Sequence, residues 1–138
     1  MAYSSDAVRK AYDDIAERED KFEKDFLLRN EIPREFIKKY IGATDIVLDA
    51  GGGSGISAIM MAQSCQRVTL MDISPKILEL AAGNIQNAGL TDKIDLIEGD
   101  ITNLCQFKDG EFSLVVCIGA HYPMFLSRGN RPLRSWFE

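Results

Sequence analysis

The sequence predicts an α/β fold built as a doubly wound parallel sheet, and three observations carry the prediction. Four apolar stretches, at 45–50, 67–71, 94–98 and 112–118, read as strands and alternate with segments whose apolar residues recur at helical spacing. The runs IVL at 46–48 and LVVCI at 114–118 do not alternate with polar residues, as expected of strands covered on both faces. The first strand opens directly into AGGGSG at 50–55, a glycine turn at the start of a helix. Right-handed crossovers then fix which strands are neighbours.

A chain of 138 residues with 46% hydrophobic and 27% charged content suits one domain with a real core. The formal net charge is −5, with both signs interspersed, so a basic field of the kind that binds nucleic acid is not expected. Arg128, Arg131 and Arg134 cluster, but three arginines read as a solvated helix face. Cys65, Cys105 and Cys117 form no CxxC pair and have no metal-ligand spacing, so buried thiols in a reducing compartment are expected and no metal is. Apolar runs fall short of a membrane span, and the first twenty residues are too polar for a signal peptide, so the expectation is a cytoplasmic protein without a membrane partner.

In chain order, the spacing predicts a first helix from Ser5 to about Arg29, with Tyr12, Ile15, Ala16 and Glu19 at i, i+3, i+4 and i+7 and Ser5 or Asp6 as N-cap. A second helix carries Pro33 in its first turn and Phe36, Ile37 and Tyr40 on one side, and it stops at Gly42. Strand 1 (Asp45 to Ala50) leads to a helix from about Gly55 to Ser64 with Ser54 as its cap. Strand 2 (Arg67 to Met71) ends at Asp72. Ser74 and Pro75 then open a helix with Ile77, Leu78, Ala81, Ala82, Ile85 and Ala88 at helical spacing and Gly89 as its stop. Ile94 to Glu98 is strand 3, Thr102 to Phe107 reads as a short helix, and Asp109-Gly110 turns the chain into strand 4, Phe112 to Ile118.

The glycine spacing separates two cofactor chemistries. A GxGxxG dinucleotide pattern begun at Gly51 is met at Gly51 and Gly53, but its third glycine falls on Ile56. An acidic residue followed by GxGxG is met throughout by Asp49, Gly51, Gly53 and Gly55. A carboxylate ahead of the glycines also repels a diphosphate. Ligands of open α/β sheets lie outside the carboxyl ends of the strands. Three successive ends here carry Asp49, Asp72 and Asp100. Asp72, about 20 residues past the loop, is placed to accept hydrogen bonds from both ribose hydroxyls of an adenosine. Ile73 packs on the adenine face, Asp100 accepts from its exocyclic amine, and the Ile101 amide donates to a ring nitrogen.

The run DAGGGSG, then MDIS, GDITNL and DGEFSLVVCIGA, resembles in order and spacing the class I S-adenosylmethionine-dependent methyltransferases, from Asp45 to Ala120. AYDDIAERED, from Ala11 to Asp20, resembles the YDxxA stretch that many small-molecule methyltransferases fold over the cofactor. The resemblance implies a Rossmann-like fold and methyl transfer from S-adenosylmethionine to a small-molecule acceptor. It implies cofactor contacts from Asp49, Ala50, Gly51, Gly52, Gly53, Gly55, Asp72, Ile73, Asp100, Ile101, Cys117 and Tyr12. His121, after strand 4 in GAHYP, is the candidate base, with Tyr122 near the acceptor. The implied organisation is one domain over 1–138, with a helical lid at 1–42, the nucleotide-binding core at 45–120 and a short tail at 121–138. Two other functions stay open, an NAD-binding oxidoreductase module and a non-catalytic methyltransferase-like subunit.

In the family's strand order 3-2-1-4-5-7-6, strand 4 is interior. No strands 5 to 7 are read after it; Leu133, Trp136 and Phe137 at helical spacing suggest only a helix. An incomplete sheet of order 3-2-1-4 is therefore expected, with strand 4 as an open apolar edge that invites a two-fold homodimer. The other outcome is that the tail from Tyr122 to Glu138 folds back over that edge, with Trp136 and Phe137 as its cover.

Overall fold

The structure is a computed structural model that describes residues 4–29, 31–118 and 125–128. Two helices, α1 (Ser5–Arg29) and α2 (Glu31–Tyr40), precede β1 (Ile46–Ala50), α3 (Ile56–Ala62), β2 (Arg67–Asp72), α4 (Pro75–Asn87), β3 (Ile94–Glu98), β4 (Leu114–Cys117) and β5 (Phe125–Arg128). The sheet has the order β3-β2-β1-β4-β5. Its first four strands are parallel, with Val47 level with Val68 and Leu114, and Val68 level with Ile94.

Alternation along the strands splits the core between the two faces of the sheet. Val47, Val68, Leu70, Leu114 and Val116 join a cluster with Leu27 of α1, Ile37 of α2, Met61 of α3, and Ala81 and Ile85 of α4. Leu48, Ala50, Met71 and Val115 point the other way, onto Leu104 and Phe112. That second face is covered by the segment between β3 and β4, where Phe107 and Phe112 meet edge to face at 5.1 Å. The expected short helix at Thr102–Phe107 is a succession of turns, because Asp100 and Asn103 draw the following amides into side-chain bonds.

Helix α4 forms as its sequence signals dictate. Ser74 is the N-cap and accepts from the Ile77 amide at 3.1 Å, Pro75 opens the first turn, and Gly89 beyond the end takes a positive φ. At α1 the cap is Ser4, whose hydroxyl accepts from the Ala7 amide, rather than the expected Ser5 or Asp6.

The fifth strand corrects the sequence reading. Phe125–Arg128 pairs antiparallel with Leu114–Cys117, so the outer edge of β4 is occupied. The open edge on which a strand 4 homodimer depended is absent, and that route to a dimer loses its premise. Residues 125–128 fold back over β4, as in the other expected outcome, but by strand pairing; Trp136 and Phe137 lie outside the described residues. Arg128 secures the strand. Its guanidinium donates to both carboxylate oxygens of Asp45, at 2.7 and 2.9 Å, and to the Tyr40 carbonyl at 2.8 Å. Among the described residues no helix is long and apolar enough to cross a membrane.

Candidate cofactor site

The carboxyl ends of β1, β2 and β3 bring Asp49, Ala50, the glycine loop, Asp72, Ile73, Asp100 and Ile101 to one rim, with Cys117 at the end of β4 beside them. The loop at 51–55 spends all its amide protons within the protein. The Gly51 and Gly52 amides donate to the Met71 carbonyl, at 2.8 and 3.2 Å, and the Gly55 amide to the Gly52 carbonyl at 3.3 Å. The Gly53 amide donates to Asp72 Oδ2 and the Ser54 amide to Glu23 Oε2, both at 2.9 Å. A phosphate cradle presents such donors to its ligand. This loop shows the ligand side carboxylates instead.

Glu23 joins the site from α1, outside the motifs that mark it in the sequence. Its Oε2 also accepts from the Ser54 hydroxyl at 2.8 Å. A Cβ on Gly53 would overlap its carboxylate, so that glycine, at φ +61°, makes room for a residue of α1. The capture of Ser54 overturns its expected role as helix cap. The N-cap of α3 is Gly55 in the left-handed region, without a side-chain bond, and the helix starts at Ile56. A signal for Glu23 existed: the inward stripe Tyr12, Ala16, Glu19 continues at the same spacing to Glu23 and the buried Leu27.

Asp49 is fully buried under the loop. Its Oδ2 accepts from the Ser57 hydroxyl at 2.8 Å, while Oδ1 has no hydrogen-bond partner. A Cβ on Gly52 would come within 2.8 Å of that same Oδ2 and 2.6 Å of Leu70, so the glycine lets the chain pass over the carboxylate. Burial pushes the Asp49 carboxyl up to about 8, against the Ser57 bond, with the charges of Glu23 and Asp72 adding to the rise. Glu23 is raised to about 7, again by burial first and then by Asp72 and Glu19. Asp72 is raised as well, by burial, although the Ser74 and Gly53 amides donate to it. Among the described residues none of the three is in an ion pair.

Asp100 differs. Its Oδ1 accepts from the Thr102 amide and hydroxyl and its Oδ2 from the Ser5 hydroxyl, and these bonds, the Thr102 amide first, hold its carboxyl below the usual range. Cys117 is half-buried, and burial pushes its thiol up to about 11. Ala50 is buried, Gly51 is exposed with a positive φ, and Ile73, Ile101 and Tyr12 are half-buried. His121 and Tyr122 lie outside the described residues.

Helix α1 is fastened along this rim by polar contacts. Ser5 reaches Asp100 and Arg9 reaches Glu98. Asp13 accepts from the Ser74 hydroxyl and the Lys76 amide, Asp20 from Asn84, and Glu23 from Ser54. Asn84 also donates to the Ser54 carbonyl, which ties α4 to the same corner of the loop.

A sheet parallel from β1 to β4, with an acid-lined glycine turn after β1 and a carboxylate at the end of β2, is the arrangement expected of a nucleoside-cofactor protein. Comparison with known proteins carries this to a family. Residues 47–134 match the family described as "Methyltransferase domain", well over half the chain. The chain belongs to the class I S-adenosylmethionine-dependent methyltransferases, and S-adenosylmethionine is the cofactor of that family. Among curated proteins it is 35% identical over 81 residues to a ribosomal protein L11 methyltransferase of Pelotomaculum thermopropionicum, covering 58% of this chain and 25% of that protein. It is 33% identical over 78 residues to a tRNA1(Val) (adenine(37)-N6)-methyltransferase of Shewanella amazonensis, covering 56% and 34%. A crystal structure from Methanococcus maripaludis, assigned as an S-adenosylmethionine-dependent methyltransferase, superposes with a TM-score of 0.68 at 28% identity over 78% of this chain and 50% of that one. The chain thus spans about a quarter to a half of the length of these relatives.

Proposed function

We propose that this chain forms the cofactor-binding part of an enzyme that transfers a methyl group from S-adenosylmethionine to an acceptor. The observation that carries the reading is the inward-turned loop: its amides are consumed within the protein, and the groups gathered there are Asp49, Glu23 and Asp72. A pyrophosphate finds no free donor in that loop and faces carboxyl oxygens, which accept hydrogen bonds as its own oxygens do. A cationic cofactor favours the ionised forms of these carboxyls, which burial otherwise opposes, and Asp49 Oδ1, without a partner inside the protein, lies beneath the same loop.

When bound, the cofactor supplies an already activated methyl group, which leaves the protein to orient the reactants and exclude water. In this reading Asp72 accepts from the ribose hydroxyls with the lone pairs that Gly53 and Ser74 leave unused, and Ile73 packs on the base. Asp100 and the Ile101 amide read the adenine edge. Gly51 and Cys117 border the methionyl end, and Tyr12 on α1 helps close the seat over it. His121 is the group in the sequence suited to take a proton from the acceptor. Relatives are named for acceptors in a ribosomal protein and a tRNA. For this chain we favour a small acceptor: the Ala11–Asp20 stretch resembles that of small-molecule enzymes, and a net charge of −5 opposes a phosphate backbone.

Thermal unfolding with each cofactor tests the assignment. A ligand that binds only the folded state at a hundredfold excess over Kd adds about 2.7 kcal/mol of stability. S-adenosylmethionine is expected to raise Tm by several degrees and NAD to leave it unchanged. An equal or larger shift with NAD overturns the reading.

A further inference from the structure

The loop and strand ends explain where a nucleoside would lie, but not why a glutamate from a helix 31 residues upstream is driven into the glycine turn. Glu23 is held by two donors of Ser54, and Gly53 is shaped around it. It faces Asp72 from β2, Asp49 from β1 and Glu19 from its own helix. Asp20, the other acid at this corner, is already paired with Lys24 and bonded to Asn84. Gathering Glu23, Asp49 and Asp72 half-buried or buried, outside any ion pair among the described residues, is costly for the protein by itself. A second observation stands beside it: Asp49 Oδ1, wholly buried in this group, has no hydrogen-bond partner.

A seat of this kind favours a positively charged ligand over a neutral one of the same shape. The methyl donor carries a sulfonium, and its demethylated product carries an uncharged thioether in the same place. The two differ only in that methyl group and the charge it confers on sulfur, and of these the charge is what a carboxylate registers.

We propose that Glu23 is a specificity-determining residue for the cofactor: carried by α1 onto the Gly53–Ser54 corner beside Asp49 and Asp72, its carboxylate favours the sulfonium donor over the uncharged product. This rests on the cofactor reading above. Ionised Glu23 both accepts the Ser54 bonds and presents the charge, so the preference for the donor grows as Glu23 loses its proton. Exchange of product for donor is then assisted by the lid helix itself, since the group that ties α1 to the loop is the one that registers the charge.

The test is calorimetric titration of the chain and of Glu23→Gln with S-adenosylmethionine and with S-adenosylhomocysteine at pH 6 and pH 8. In Glu23→Gln, donor binding is expected to weaken about tenfold at pH 8 and much less at pH 6, where the native carboxyl is largely protonated, with product binding little changed at either pH. If donor and product weaken equally at both pH values, Glu23 is a structural tie and the proposal fails, as it does if the variant binds donor like the native chain at pH 8. If the native chain binds neither compound, the cofactor reading itself is overturned. Should Glu23→Gln not fold, Ser54→Ala keeps the glutamate but removes one of its donors. The donor-to-product preference is then expected to shift along the pH axis, and an unchanged pH profile overturns the proposal.

Discussion

Asp45, just ahead of β1, and Asp49, near its carboxyl end, are both buried, and the protein treats them in opposite ways. Asp45 accepts from Arg128 with both oxygens, from the Gly42 amide and from the Ser113 hydroxyl. These partners, Arg128 first, hold its carboxyl well below the usual range. Asp49 has one hydroxyl partner, one orphaned oxygen and a carboxyl raised to about 8. Burying a charge is tolerable when its lone pairs are filled and destabilising when they are not. The amino end of β1 therefore holds a carboxylate used for stability. The carboxyl end holds a carboxyl short of partners, which keeps its proton instead.

The largest expected effect comes from breaking the satisfied end. Arg128→Ala removes the bidentate partner of Asp45 and the anchor of β5, leaving a buried carboxylate with two hydrogen bonds. We expect a loss of about 2–3 kcal/mol in urea unfolding at pH 7, at or below the low end for a buried pair because Arg128 is half-exposed. The folded Asp45 carboxyl lies below its unfolded value, so its contribution is fully present above the ordinary carboxylate range and is lost as pH falls from that range down through the folded value. The gap between native chain and variant is expected to close toward low pH. A gap that persists unchanged there would assign the effect to β5 packing rather than to the ion pair.

The unsatisfied end has the reverse sign. A folded Asp49 that keeps its proton up to about pH 8, when the unfolded residue releases it near 4, makes stability fall as pH rises between those values. Glu23 and Asp72 push in the same direction. Asp49→Asn removes one such titrating group and is expected to gain about 2 kcal/mol on the native chain between pH 5 and pH 7, read from urea midpoints at each pH. Asp45→Asn is expected to lose stability at pH 7. Parallel stability curves for Asp49→Asn and the native chain would show that Asp49 ionises normally.

The contrast between these aspartates was half visible in the sequence. Strand 1, the glycine spacing, the Ser74-Pro75 start and the Gly89 stop of α4 are local signals, and each produced the element expected. What stayed hidden depends on residues far apart in the chain. Phe125–Arg128 is too short to show alternation, and it becomes a strand because β4 offers an edge and Asp45 a counter-ion to Arg128. Ser54 fails as a cap because Glu23 claims its amide and hydroxyl. In the sequence Glu23 is one more charge on a polar helix, although the spacing of Tyr12, Ala16 and Glu19 points to its face. The satisfied state of Asp45 and the orphaned oxygen of Asp49 follow from these same tertiary contacts.

The smallest effects give the cleanest comparison, because each aspartate has one serine hydroxyl as a partner. Ser113 Oγ donates to Asp45 at 2.8 Å and accepts from the Ile46 amide, at an exposed position where water can replace it. Ser57 Oγ donates to Asp49 from a position 1% exposed, where water cannot. Ser113→Ala leaves Asp45 its arginine and its Gly42 amide and is expected to cost about 0.5 kcal/mol. Ser57→Ala leaves a buried carboxyl with no bond and is expected to cost about 1–2 kcal/mol. It also raises the Asp49 carboxyl further, since the Ser57 bond was pulling it down. Urea unfolding of the two alanine variants at pH 7, side by side, reads the difference. Equal costs, or the reverse order, would show that Asp49 finds a partner in solution, and that the carboxyl end of β1 is as well satisfied as the amino end.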